Sequence, residues 1–206
     1  MSDFLNISDL EQTFIGMDKP LIIGVDEAGA GPLMGPLVAT AAILNYNDLP
    51  GCIKDSKFYT SEEARLKAYN ELIEKVPLYA TYILDIEDLN NIADISKAGY
   101  LTRYRAVEKL FWKLFTKKLT PHVVLVDAFD LYGIDTYKLG NKTEFEINGR
   151  PNDLLQLVPE LITQGVANGD STVACIAAAS VIAKVERDTL VKKQAEIYPE
   201  YKWTDN

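Results

Sequence analysis

Residues 21–44 read LIIGVDEAGAGPLMGPLVATAAIL: an apolar run, two carboxylates, a glycine–proline loop and a second apolar run. Leu21, Ile22, Ile23 and Val25 between turn residues have the pattern of a buried strand over about 21–26, and Leu37–Leu44 that of a second. Asp26 and Glu27 close the first run, where apolar surroundings make ionised groups costly unless something positive is bound. Gly29, Gly31, Pro32, Gly35 and Pro36 suit tight turns and close approach of backbone to a ligand. Successive strand side chains point to opposite faces, so Asp26 and Glu27 would converge only at a strand end or bend. Acids that merely cap a strand exit give the same pattern, and this stretch alone does not separate the two readings.

Upstream, Leu10, Phe14 and Ile15 share one face of a helical lead-in over 1–19 that Lys19-Pro20 ends. Downstream, Thr60-Ser61-Glu62-Glu63 is a helix start, and Leu66, Tyr69, Leu72 and Ile73 recur at helical spacing up to Pro77. Residues 78–85 predict a third strand and 86–115 a helix with a break near Gly99. Arg103, Arg105, Lys109, Lys113, Lys117 and Lys118 make its second half basic, as either a solvated face or a phosphate-facing stripe. After Pro121, the run from His122 to Asp127 is a buried strand ending in a carboxylate, a second copy of the arrangement at Asp26. His122 is the sole histidine, which excludes a histidine-rich metal site, and its place at a strand start is structural.

Residues 128–160 are punctuated as loops, with a hairpin around 145–150. Residues 161–167 read as a strand. Asp170 then precedes a long helix over 172–196, apolar all round in its first half. Its second half, with Lys184, Arg187, Lys192 and Lys193, reads as exposed and basic. Strands followed by mixed helices and strands predict an α/β layer with a mixed sheet.

The length of 206 residues fits one domain over 1–206, with an ordinary hydrophobic and charged content. No apolar run reaches the length of a membrane span, and the acidic N-terminus lacks a secretory pattern. Cys52 and Cys175 lack metal-ligand spacing and read as reduced packing residues, so the expected compartment is cytosolic and no membrane is involved. The net charge of −9 speaks against a nucleic-acid partner, but carboxylates gathered for cations add negative charge of their own. Asp26-Glu27, Asp127 and Asp170 are such a set. Convergent carboxylates without histidine or thiolate suit Mg²⁺ or Mn²⁺. Two ions about 3.5–4 Å apart can drive phosphodiester hydrolysis.

GVDEAGAGPLMGP, the loop KDSK, LNNI before a helix, VLVDA and NGDSTVACIAAASVIAKVERD together resemble ribonuclease HII, the type 2 ribonuclease H family. The ordered motifs extend over about 21–201. The resemblance implies a ribonuclease H-like mixed sheet flanked by helices. It also implies endonucleolytic cleavage of RNA in RNA–DNA hybrids, or of ribonucleotides embedded in duplex DNA, leaving a 5′-phosphate and a 3′-hydroxyl. The family's metal-binding carboxylates fall on Asp26, Glu27, Asp127 and Asp170. Gly29, Ala30 and Gly31, Lys57, Asn91 and Ser171 fall at substrate-contact positions. Lys184 and Arg187 are further phosphate contacts or an exposed helix face.

Two departures stand out. The family's Gly-Arg-Gly is here Gly29-Ala30-Gly31: the glycines that let backbone approach a ribose 2′-hydroxyl remain, without the Arg contact. This predicts a weakened preference for a single ribonucleotide at a junction. After Trp203 the family continues into a Gly-Tyr segment and further helices, so the expectation is a catalytic domain lacking that extension, acting as a monomer. The alternatives are a hybrid-binding module of the same fold with weak or no turnover, and a related nuclease acting on DNA junctions.

Overall fold

The structure, a computed structural model, describes residues 7–16, 20–32, 34–54, 57, 59–92, 94–128, 158, 160–201 and 203. The apolar runs become a five-stranded sheet in the order β3-β2-β1-β4-β5. Its strands are β1 (Ile22–Ala28), β2 (Leu37–Ile43), β3 (Leu78–Leu84), β4 (Val123–Asp127) and β5 (Ile162–Val166). β1 pairs antiparallel with β2 across a short loop, β2 pairs antiparallel with β3 after a connection that carries a helix, and β1 with β4 and β4 with β5 pair parallel. The mixed sheet expected from the sequence is therefore present. The hairpin expected at 145–150 lies outside the described residues.

Helices cover both faces, which is why the central strands are apolar on both sides. They are α1 (Asp9–Ile15), α2 (Glu62–Lys75), α3 (Ile86–Asn91), α4 (Ile95–Thr116), α5 (Gly169–Thr172) and α6 (Ala174–Ile197), with a 3₁₀ turn at Pro199–Tyr201. Ile22, Ala42, Val123 and Leu125 pack towards α6 and α2. Ile23, Val25, Ala41, Val124 and Val126 pack towards α4. Gly24 lets α6 lie directly on the sheet: a Cβ there would stand 2.1 Å from the carbonyl carbon of Cys175. Among the described residues no helix is long and apolar enough to cross a membrane.

Several boundaries differ from the sequence reading. β1 does not end at Asp26 but runs on through Glu27 to Ala28. The break expected near Gly99 falls earlier, between the end of α3 at Asn91 and the start of α4 at Ile95. Asp94 accepts from the amides of Ser96 and Lys97 and so starts α4, while Gly99 is buried within that helix. The long helix over 172–196 is divided at Val173, whose extended backbone separates α5 from α6.

The basic run along α4 is exposed at Lys109, Lys113, Lys117 and Lys118, as expected of a solvated face, but not at Arg103. Lys109 and Lys113 donate to the backbone oxygens of Thr81 and Tyr79 at 3.0 and 2.7 Å. Both therefore cover the outer edge of β3. Arg105 pairs with Glu108, and Arg103 is buried.

Candidate metal centre

Strand alternation places Asp26 and Glu27 on opposite faces of the sheet, with no bend between them. Asp26 points to the α6 face, where Ser180 hydrogen-bonds its carboxylate. Glu27 points to the α4 face, where Arg103 Nη1 donates to its Oε2 at 2.8 Å. Convergence comes instead from the neighbouring strand. β1 and β4 pair in parallel up to Val25 opposite Val126, so the next step of that register sets Asp26 beside Asp127 on one face. The two strand ends with the same sequence pattern thus become one site.

Asp127 links the strand to the start of the following helices. Its Oδ1 accepts from the backbone amides of Gly169 and Asp170 at 2.7 and 3.3 Å, which positions Asp170 over the same cleft. Gly169 fits closely there: a Cβ would meet the end of the Ile176 side chain at 2.6 Å and Asp127 Oδ1 at 3.3 Å. Asp170 is held in turn by Lys57, whose Nζ lies 2.6 Å from Oδ2. All four acids line one cleft of about 350 Å³, together with Lys57 and Lys184.

Crowded, buried carboxylates resist ionisation. Burial pushes Asp26 well above its ordinary value, and the charges of Glu27 and Asp127 add to it, against hydrogen bonds from Ser180 and the Glu27 amide. Glu27 is raised by burial, against the pull of Arg103. Asp127 is raised by burial and by the charge of Asp170, partly offset by the two amides it accepts from.

As the side chains stand, no three described Asp, Glu, His or Cys residues are gathered around a single point. Glu27 is drawn to Arg103 and Asp170 to Lys57, so protein cations answer part of the negative charge. The donor set itself, four carboxylates of which three are pushed towards protonation, is one that a hard divalent cation would relieve.

The other sequence-predicted residues divide. Gly29 has φ +114° at the foot of an exposed loop, and nothing lies within 4 Å of where a Cβ on Gly31 would stand, so that backbone is open to a ligand. Ala30 is exposed on the same loop. Lys57 and Lys184 line the cleft, with Lys184 paired to Asp188 at 2.8 Å. Asn91 is exposed at the end of α3 and is not among the residues lining the cleft. Ser171 spends its hydroxyl on Asn168 O at 3.0 Å.

Arg187 corrects the expectation of an exposed helix face. It is 6% exposed, and its guanidinium donates to Pro36 O and Met34 O at 3.3 and 2.7 Å. It braces the glycine loop from beneath, packed where Cβ atoms on Gly29 or Gly35 would collide with it. The sequence reading does not single out Arg65, another cleft residue paired with Asp188, and places Arg103 only in a basic helix face. A basic residue on a helix carries no local signal of which face tertiary packing will bury.

A mixed sheet with acids on two adjacent parallel strand ends and a third acid at the start of the helix packed behind them agrees with the ribonuclease H-like class expected from the sequence. Residues 23–206 match the family model described as Ribonuclease HII. The chain belongs to the ribonuclease HII family, the type 2 ribonucleases H. A ribonuclease HII of Zymomonas mobilis is 33% identical over 186 residues, covering 90% of this chain and 72% of that one. Across curated relatives the matched stretch spans from 58% to 82% of their length.

The fold matches the crystal structure of ribonuclease H2 from Pyrococcus horikoshii with a TM-score of 0.61 at 23% identity, covering 87% of this chain and 78% of that one. It also matches Bst-RNase HIII in complex with Mn²⁺, with a TM-score of 0.65 at 20% identity over 89% of this chain and 56% of that one.

Proposed function

We propose that this chain cleaves RNA phosphodiester bonds in RNA–DNA hybrids, or at ribonucleotides embedded in duplex DNA, and that Asp26, Glu27, Asp127 and Asp170 hold the Mg²⁺ or Mn²⁺ it uses. The observation that carries this reading is the parallel register that sets Asp26 beside Asp127, with Asp170 delivered to the same cleft by Asp127's own hydrogen bonds. The presence of Mn²⁺ in the crystal structure of Bst-RNase HIII, a neighbour in fold, agrees with that donor set. Divalent cations in such a site supply charge stabilisation at the attacking and leaving oxygens of an in-line displacement.

The chain's own residues do the rest. The Gly29-Ala30-Gly31 loop, whose backbone is open at Gly31, meets the ribose beside the scissile phosphate, where a 2′-hydroxyl distinguishes RNA from DNA. Lys57, 74% exposed at its side chain although tethered to Asp170, is placed to exchange that carboxylate for a substrate phosphate. Ser180 and the Glu27 amide fix the Asp26 carboxylate, and the Gly169 and Asp170 amides fix that of Asp127, so neither must reorganise during reaction. Hydrolysis leaves a 5′-phosphate and a 3′-hydroxyl. One chain carries all four acids, so a monomer suffices.

The test compares a DNA duplex bearing one ribonucleotide, an RNA–DNA hybrid and an all-DNA duplex, with Mg²⁺ or Mn²⁺. Cleavage confined to RNA-containing strands, and reduced by about 10²–10³-fold or more in Asp26→Asn, is expected. Full activity in Asp26→Asn would refute the assignment. Hybrid binding without cleavage by the wild type would leave a binding module of the same fold, and cleavage of the all-DNA duplex a junction nuclease.

A further inference from the structure

Arg103 sits in a run of cations that reads as helix surface, yet it is 3% exposed and faces the carboxylates from α4. Its Nη1 donates to Glu27 Oε2 at 2.8 Å and reaches the backbone oxygen of Asp127 at 3.5 Å. One guanidinium therefore touches the ends of both carboxylate-bearing strands. The Tyr100 ring, one turn back on α4, lies 5.1 Å from the guanidinium carbon and steadies it from its own helix. A buried charge persists only where it is paired, and the partner here is the site carboxylate on the α4 face of the sheet.

We propose that Arg103 is the resident counter-charge of the carboxylate centre. It orients Glu27 through one oxygen, leaves the other oxygen to a divalent cation, and offsets one of the four negative charges. In doing so it sets how tightly the centre holds Mg²⁺ or Mn²⁺. The inference rests on the reading of Asp26, Glu27, Asp127 and Asp170 as cation ligands.

Two effects of the residue oppose each other. Orienting Glu27 favours cation binding, because a ligand already in place loses less freedom. The positive charge disfavours it, and a few ångströms from a divalent ion in a partly buried cleft this repulsion outweighs the ordering of one side chain. Arg103 is thus a positioning residue that trades cation affinity for a fixed Glu27.

Thermal unfolding titrated with Mg²⁺, and separately with Mn²⁺, reads this without an activity assay. Arg103→Met is expected to melt below wild type without metal, because Glu27 stays half-buried and loses this partner. It is then expected to reach half of its metal-induced rise at about tenfold lower cation, equivalent to about 1.4 kcal/mol. Arg103→Gln, neutral yet still able to donate to Glu27, is expected to shift in the same direction and carries the test should the Met variant not fold. Arg103→Lys keeps the charge and is expected to stay within about twofold of wild type. Equal half-saturating concentrations in wild type and the neutral variants overturn the proposal, as does an equal shift in Arg103→Lys. A wild type whose melting does not respond to either metal overturns instead the cation-site reading beneath it.

Discussion

Ala30 is exposed on the loop between β1 and β2, with an open backbone on its Gly31 side and a guanidinium, that of Arg187, packed beneath Gly29. On the proposed function, the Ala30 methyl offers no contact to a substrate phosphate, and recognition at this loop would fall to backbone groups. The wild type is therefore expected to favour a single-ribonucleotide duplex over a long hybrid only weakly, and Ala30→Arg to raise that preference. Relative cleavage rates on the two substrates check this, and an unchanged ratio in both proteins refutes it. Gly29→Ala should damage the loop itself: φ is +114° and the new Cβ would stand 2.6 Å from Pro36 O and 2.7 Å from Arg187 Nε. A loss of about 1–3 kcal/mol in urea unfolding is expected. These glycines were legible in the sequence because turn chemistry is local. So were Asp26 and Asp127, since an acid closing an apolar run is a local pattern. Arg187 and Arg103 were not, because their burial follows from which side of α6 and α4 meets the sheet.

The helix α6 packs against both β1 and β2, and its start is held by a residue far away in sequence. Glu11 on α1 is fully buried, and its two oxygens accept from the amides of Ala174 and Cys175 at 3.1 and 3.0 Å and from the Tyr46 hydroxyl at 2.9 Å. A carboxylate at a helix N-terminus satisfies orphan amides and complements the helix dipole. Glu11→Ala would leave those groups buried and unpaired, so a loss of about 3 kcal/mol in denaturant unfolding is expected. A change below about 0.5 kcal/mol would sink the idea that α1 anchors α6. The short capping box from Ser8 to Glu11 was readable in principle, but the second duty of Glu11 depends on the tertiary fold. At the opposite edge, Lys109 and Lys113 cover outward carbonyls of β3. Replacing both with Ala should change stability by less than about 1 kcal/mol yet expose a strand edge, raising aggregation on light scattering. Unchanged scattering over a concentration series would count against that role.

Over the whole molecule the balance of charge would set how the proposed duplex substrate is held. The chain carries a net charge of −9. Near the cleft its cations are largely committed: Arg103 and Arg187 are buried, Arg65 and Lys184 pair with Asp188, and Lys192 pairs with Glu62. Lys57 is the cleft cation with the most exposed side chain, 74%, and it leans on Asp170. Each phosphate neutralised on a duplex contributes about −0.9 to the slope of log affinity against log salt. Lys57, Lys184 and one rearranged pair would give a slope of about −2 to −3. Between about 50 and 200 mM salt, affinity should then fall by roughly 16- to 64-fold, against 10³-fold or more for a protein with many phosphate contacts. Fluorescence anisotropy of Asp26→Asn on an RNA–DNA hybrid measures this without cleavage. A slope near −6 would mean that the binding surface extends well past the cleft and its paired cations. A slope near −2 would mean that local geometry at the carboxylates and the glycine loop, rather than a basic surface, selects the substrate.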